Sequence, residues 1–304
     1  MKKMMILFVA LVAAWCVSCS KDDDGGKNPD DPTEDVDKPG EDPDDPDEPG
    51  GEGVIIMTSE GQKIKLRLDF SAISKITIDW GDGTVREYGN KYEEFNNAYR
   101  FDVKYEYSQT ALHTIKISGC TDLLYLDCKS NQLTSLDVSG CTALTELQCY
   151  NNQLHSLDVI GCTALTKLWC SSNQLTSLDI SRCTHLTDLY CCENQLSSLN
   201  VSGCPDLDWL RCSDNQLPSL DISGCPHLTW LWCSGNQLFS LDVSGCPDLR
   251  ELFCSYNQFS VSALNQIYTD LPTTDGNITA ISNPGYPESD RSIAIGKGWI
   301  FREE

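Results

Sequence analysis

Apolar positions recur along the middle of the chain with a fixed beat. Leu123, Leu144, Leu165, Leu186, Leu207, Leu228 and Leu249 stand 21 residues apart, and from each the chain reads L-x-x-L-x-C-x-x-N-Q-L-x-x-L-D-V-S-G-C-x-x with small departures such as Ile160, Arg182 and Asn200. Six copies are complete, a seventh departs after Phe259, and a half copy from Leu112 to Asp122 leads in. Within each copy L-x-C alternates apolar and variable residues, the period of a strand whose successive side chains face opposite ways. Leu136-Asp137-Val138 alternates again on the return half. A unit this short cannot bury its own apolar face, whereas stacked copies share one continuous core. It also has no room for a full helix per turn. The pattern therefore predicts a β-rich solenoid over residues 119–260, with a parallel sheet on one side and short extended or 3-10 segments on the other.

The flanks break the beat. In residues 53–118, "IKLRLDF" (64–70) and "ISKITIDW" (73–80) alternate apolar and polar, and Gly81-Asp82-Gly83 makes a tight turn. Ile115 and Ile117 run straight into Cys120, so this small β unit doubles as the N-terminal cap, and solenoids need such caps. "WGDG" at 80–83 with the later "YEYSQTALHTIKISG" resembles the polycystic-kidney-disease (PKD) type β-sandwich domain. Residues 261–304 close the other end, giving the cap α+β character. "SALNQIYTDLP" (262–272) has helical spacing at Leu264, Ile267, Tyr268 and Leu271 and stops at Pro272. A strand and turn follow in 276–285, then a short helix and a final strand in 290–301.

The repeat resembles the leucine-rich repeat, in the cysteine-containing 21-residue form of internalin-type bacterial surface proteins. That resemblance implies a right-handed solenoid with a parallel sheet on its concave face. It also implies an asparagine ladder (Asn131, Asn152, Asn173, Asn194, Asn215, Asn236, Asn257) and a cysteine ladder (Cys128 to Cys254 in steps of 21). A second cysteine series, Cys120 to Cys246, departs from the family pattern. Three readings of these cysteines stand: buried free thiols, scattered disulfides, or metal ligands. Equivalent residues on adjacent strands lie roughly 4.8 Å apart, wider than the ~3.8 Å between Cβ atoms that a disulfide prefers. Structural zinc wants closer Cys/His spacing than is found here. Free Cys packs as a small hydrophobe, and this reading is preferred. Cys192, beside Cys191, should face the opposite way and be the reactive one.

Charge changes the picture at one end. The chain carries a net charge of −23, which argues against nucleic acid as a partner. Residues 20–52 hold 15 Asp/Glu, three Lys and six Pro, a composition expected of an extended, disordered linker. Residues 1–19, "MKKMMILFVALVAAWCVSC", have a basic start and a short apolar run, as a secretory signal does. They resemble a bacterial lipoprotein signal with Cys19 as the lipidated residue. "SKDDD" behind it resembles the tag that sends Gram-negative lipoproteins to the outer face of the outer membrane. The expected location is thus the cell surface, lipid-anchored.

Candidate chemistry lies on the sheet's solvent face. Between Leu and Cys the copies read Asp127, Gln148, Trp169, Tyr190, Arg211, Trp232, Phe253; just before that Leu they read Tyr125, Glu146, Lys167, Asp188, Trp209, Trp230, Glu251. Trp169, Tyr190, Trp209, Trp230, Trp232 and Phe253 should form one exposed aromatic patch, with Asp188, Arg211 and Glu251 at its polar rim. Exposed apolar patches of this kind mark binding sites. A protein ligand fits through aromatic and Arg anchors, a glycan through ring stacking, and a purely structural envelope role needs neither. No phosphate loop, metal cluster or catalytic pairing stands apart from the repeat. The expectation is a non-enzymatic binding protein without cofactor or metal.

Overall fold

The computed structural model describes residues 53–303, apart from Ile73 and residues 94–97. The signal segment, Cys19 and the acidic linker of 20–52 lie outside the described residues.

The N-terminal unit consists of β1 (Val54–Ser59), β2 (Lys63–Phe70), β3 (Lys75–Asp79), β4 (Val85–Gly89), β5 (Lys91–Glu93), β6 (Ala98–Glu106) and β7 (His113–Ser118). The array follows with β8 (Leu123–Asp127) and β9 (Leu133–Asp137). It then gives one short strand per copy: β10 (Glu146–Gln148), β11 (Lys167–Trp169), β12 (Asp188–Tyr190), β13 (Trp209–Arg211), β14 (Trp230–Trp232) and β15 (Glu251–Phe253). The C-terminal cap holds α1 (Val261–Asp270), β16 (Asn277–Thr279), α2 (Ser292–Ile295) and β17 (Ile300–Phe301).

These strands make two sheets. The long one runs β17-β16-β15-β14-β13-β12-β11-β10-β8-β2-β6-β5 and the short one β4-β3-β7-β1-β9. From β8 to β17 the long sheet is parallel, with each residue paired to its counterpart one copy on, as in Trp209↔Trp230 and Leu210↔Leu231. At β2 it turns antiparallel, Arg67↔Asp127 and Leu68↔Leu126. β1 likewise pairs with β9, the return strand of the first copy. Both sheets of the cap therefore run on into the array, and one hydrophobic core extends from Ile55 to Trp299. The solenoid predicted by the 21-residue period is the fold observed.

Each complete copy contributes the same kind of buried set. In the copy from Leu186 these are Leu186, Leu189, Cys191, Leu196, Leu199, Val201 and Cys204. Both cysteine series are buried, and every cysteine in the described residues carries a free thiol. The second series also donates weakly to carbonyls of the preceding turn, as Cys225 Sγ does to Val201 O at 3.5 Å. Burial pushes the Cys162 and Cys225 thiols up to about 12 and Cys204 to about 11. Cys149, Cys170, Cys191, Cys212 and Cys233 are raised well beyond the ordinary thiol range for the same reason.

The asparagines hold the turns in register. Asn194 Nδ2 donates to Cys170 O, Cys191 O and Cys192 O, each at 3.1 Å, while its Oδ1 accepts from Leu175 N at 3.0 Å. One amide thus satisfies carbonyls of two successive turns, groups that would otherwise be buried without partners. Both caps use the same device. Asn131 accepts from Lys65 N and donates to Lys65 O, tying β2 to the first copy. At the far end Asn283 donates to Cys254 O and Ala280 O and accepts from Asn257 N. Ile278, Ala280 and Asn283 keep the L-x-C-x-x-N spacing with Ala in the cysteine position, so the cap copies the ladder it covers.

The return side is nearly free of strand. Beyond β9 only the bridges Asp137↔Asp158 and Asp158↔Asp179 are formed there among the described residues. The turn is set instead by its aspartates: Asp179 Oδ1 accepts from Ser181 N at 2.9 Å, and Asp221 and Asp242 repeat the bond. These bonds hold the three carboxyls below the usual range; for Asp242 the Ser244 hydroxyl contributes most. The helix α1 is capped by Ser260, whose side chain accepts from Ala263 N, and buries Leu264, Ile267 and Tyr268 against the last turn.

Candidate functional site

The parallel register stacks like positions of successive copies on the solvent face of the long sheet. Trp169, Tyr190, Arg211, Trp232 and Phe253 form one row, with Trp209 and Trp230 in the next. Trp169 and Tyr190 stack at 5.2 Å with planes 6° apart, and Trp232 and Phe253 at 4.9 Å and 24°. Trp209 meets Trp230 at 4.2 Å, tilted by 46°. All seven predicted site residues thus come together, in a ribbon spanning β11 to β15.

Two expectations are corrected by this geometry. The aromatics were expected to stand exposed; each is half-buried, because its ring is covered by its neighbours. Arg211 was expected at the rim; it lies in the middle. Its guanidinium carbon sits 3.8 Å from the Trp232 ring centroid, 4.6 Å from Tyr190 and 5.5 Å from Trp209. The cation joins the two halves of the ribbon, which otherwise have no ring contact between them among the described residues. Arg211 forms no ion pair among the described residues. Glu251 does lie at the edge, accepting from Trp232 Nε1 at 3.4 Å, and Asp188 accepts from the Thr187 hydroxyl.

Several polar atoms on this face lack a hydrogen-bond partner within the protein although they are covered. They are Trp169 Nε1, Asp208 Oδ1, Arg211 Nε, Ser234 Oγ and Ser255 Oγ. Asp208 immediately precedes Trp209, and Ser234 and Ser255 follow the ladder cysteines of their copies. Orphaned buried polar atoms are rare and each calls for a reason. All five are enclosed, so they belong to the packing of the ribbon and are not groups presented to solvent. Sequence reasoning found the rings but not the enclosure of these atoms.

Cys192 is also corrected. It is half-buried on the ribbon side. Burial raises its thiol above the ordinary value, outweighing the Ser213 backbone donor and Arg211. It is partly covered and not activated.

Residues 163–203 match the family model for leucine-rich repeats, in two copies. Residues 163–203 are leucine-rich repeats. The match covers the centre of the array, and the same 21-residue pattern recurs on either side of it. Among solved structures, the functional domain of InlJ from Listeria monocytogenes, which includes a cysteine ladder, is similar at 30% identity. That similarity covers 62% of this chain and 50% of that one, with a TM-score of 0.45. An internalin, InlF, from the same species is similar at 21% identity over 55% of this chain and 50% of that one, TM-score 0.48. A leucine-rich-repeat protein of Leptospira interrogans follows at 20% identity over 55% and 50%, TM-score 0.44. The chain thus spans about half the length of each of these structures. No curated protein matches it.

Proposed function

We propose that this leucine-rich-repeat chain is a binding protein of the bacterial surface that grips a protein ligand through the aromatic ribbon. The contiguous rings carry the reading: Trp169 with Tyr190, Trp209 with Trp230 and Trp232 with Phe253 line one sheet face, and Arg211 joins them. Trp, Tyr and Arg are the residues that dominate protein interfaces. A glycan would need open ring faces. Here those of Trp169 and Tyr190 lie against each other, and Arg211 covers Trp232, which favours a protein. The ribbon is a binding surface, not a catalytic one, and needs no cofactor. The N-terminal sequence supports anchorage through a lipid on Cys19 at the outer membrane. The acidic linker of 20–52 then holds the array away from the lipid surface.

A panel of purified extracellular proteins and glycans, probed with the full chain and with a Trp209→Ala, Trp230→Ala, Trp232→Ala variant, tests the ribbon. A protein should bind the native chain, and the variant should lose that binding. Retention by the variant would exclude the ribbon, and binding only to glycans would overturn the choice of ligand. Cys19→Ser should abolish incorporation of labelled palmitate and release the protein from the membrane; membrane retention without label would contradict the anchor.

A further inference from the structure

The long sheet does not end at the ribbon. Past β10 and β8 it continues through β2 and β6, and there its solvent face changes from aromatic to charged. A cleft of about 690 Å3 opens where β2 and β6 meet the first copy, with Lys63, Lys65, Arg67, Lys104 and Lys129 along its walls. Among the described residues only two carboxylates, Asp102 and Asp127, share it, in a chain whose net charge is −23.

The cations are not equally satisfied. Lys63 pairs with Glu106 at 3.2 Å, Arg67 with Asp69 at 2.7 Å and Lys129 with Asp127 at 2.7 Å. Lys65 and Lys104 form no ion pair among the described residues. They stand directly opposite each other across β2 and β6, where like charges destabilise a sheet. The antiparallel register of β2 with β8, Arg67↔Asp127, also carries Lys129, two residues past Asp127, toward Lys65. The free protein thus holds a row of like charges that a bound anion would relieve. The volume suits a short segment and is within the range of small-ligand sites.

We propose that this cleft binds a short acidic segment of a protein partner, through Lys65 and Lys104 with Lys129 beside them. The choice of a protein rests on the reading of the ribbon, with which the cleft shares one sheet face; the cleft's preference for an anion does not. The net negative charge does not forbid it, since exposed charges are screened beyond about 8 Å at physiological salt.

The test is binding of a fluorescent glutamate-rich peptide and of a sulfated oligosaccharide to the full chain, by anisotropy at low and physiological salt. The peptide should bind, more weakly at higher salt. Lys65→Gln with Lys104→Gln should weaken it at least about tenfold, as expected for losing two charge contacts. The same double variant should unfold no earlier than the native chain, since it removes a like-charge pair. Trp209→Ala with Trp230→Ala should leave peptide binding unchanged. Peptide affinity that ignores the lysines, or that falls with the tryptophans instead, would overturn the cleft. Tighter binding of the sulfated oligosaccharide than of the peptide would overturn the acidic segment as occupant. Failure of the cleft leaves ligand capture by the ribbon variants as a separate readout, and failure of the ribbon leaves peptide binding as another.

Discussion

At the scale of single residues, the ladder asparagine does the most for the fold. Asn194→Ala leaves three carbonyls and the Leu175 N–H without their amide partner. It should cost about 2–4 kcal/mol in a denaturant titration, given what orphaned buried groups cost. A loss below about 1 kcal/mol would mean that water replaces the amide. The residue before each ladder asparagine takes a left-handed backbone, at φ near 55° for Ser172, Glu193, Asp214 and Tyr256, while one copy has Gly235 there. Much of this scale was legible in the sequence. Asn at a fixed place in every copy can only be a repeated part, and its bonds follow from stacking. What could not be read was the state of the variable residues. Arg211 looked like a rim charge because its three aromatic neighbours come from three different copies. Cys192 looked reactive because facing outward was equated with being solvated.

At the scale of elements, the two cysteine ladders tie the solenoid to pH. An unfolded thiol titrates near 8.5, whereas the buried ones stay protonated to about 11 or beyond. The folded state therefore holds protons that the unfolded state has released, and stability falls with rising pH through that window. Each such thiol contributes up to about 1.4 kcal/mol per pH unit, and the ladders have many. Unfolding should set in steeply between about pH 9 and 11, and Cys149→Ala with Cys170→Ala should make the fall shallower. A melting temperature flat to pH 11 would contradict the dry ladders. Native alkylation should modify Cys192 slowly and spare the ladder cysteines until denaturant is added. The element pattern was largely legible: the strands, α1 with its stop at Pro272 and the closing strand fall where periodicity placed them. The cap's imitation of the ladder by Ile278, Ala280 and Asn283 was present in the sequence too, masked by Ala for Cys.

At the scale of the whole molecule, one sheet face carries two chemistries. An aromatic ribbon centred on Arg211 spans β11 to β15, and a basic cleft lies beyond β8. The first was visible as columns once the chain was written in rows of 21. The second was not, because Lys65, Lys104 and Lys129 come from three separated stretches and meet only through an antiparallel register. Ribbon substitutions have a stability cost of their own: Trp209→Ala should lose about 1–2 kcal/mol with its stack on Trp230, and so needs a folding control. The most direct measurement compares affinities for the captured protein ligand among the native chain, Arg211→Gln with Trp232→Ala, and Phe239→Ala, which removes an exposed ring outside the sheet. The ribbon variant should lose about 2–4 kcal/mol of binding, at least ~30-fold, and the Phe239 variant should match the native chain. Undiminished binding by the ribbon variant, with loss in the Phe239 variant, would contradict the sheet face as the working surface.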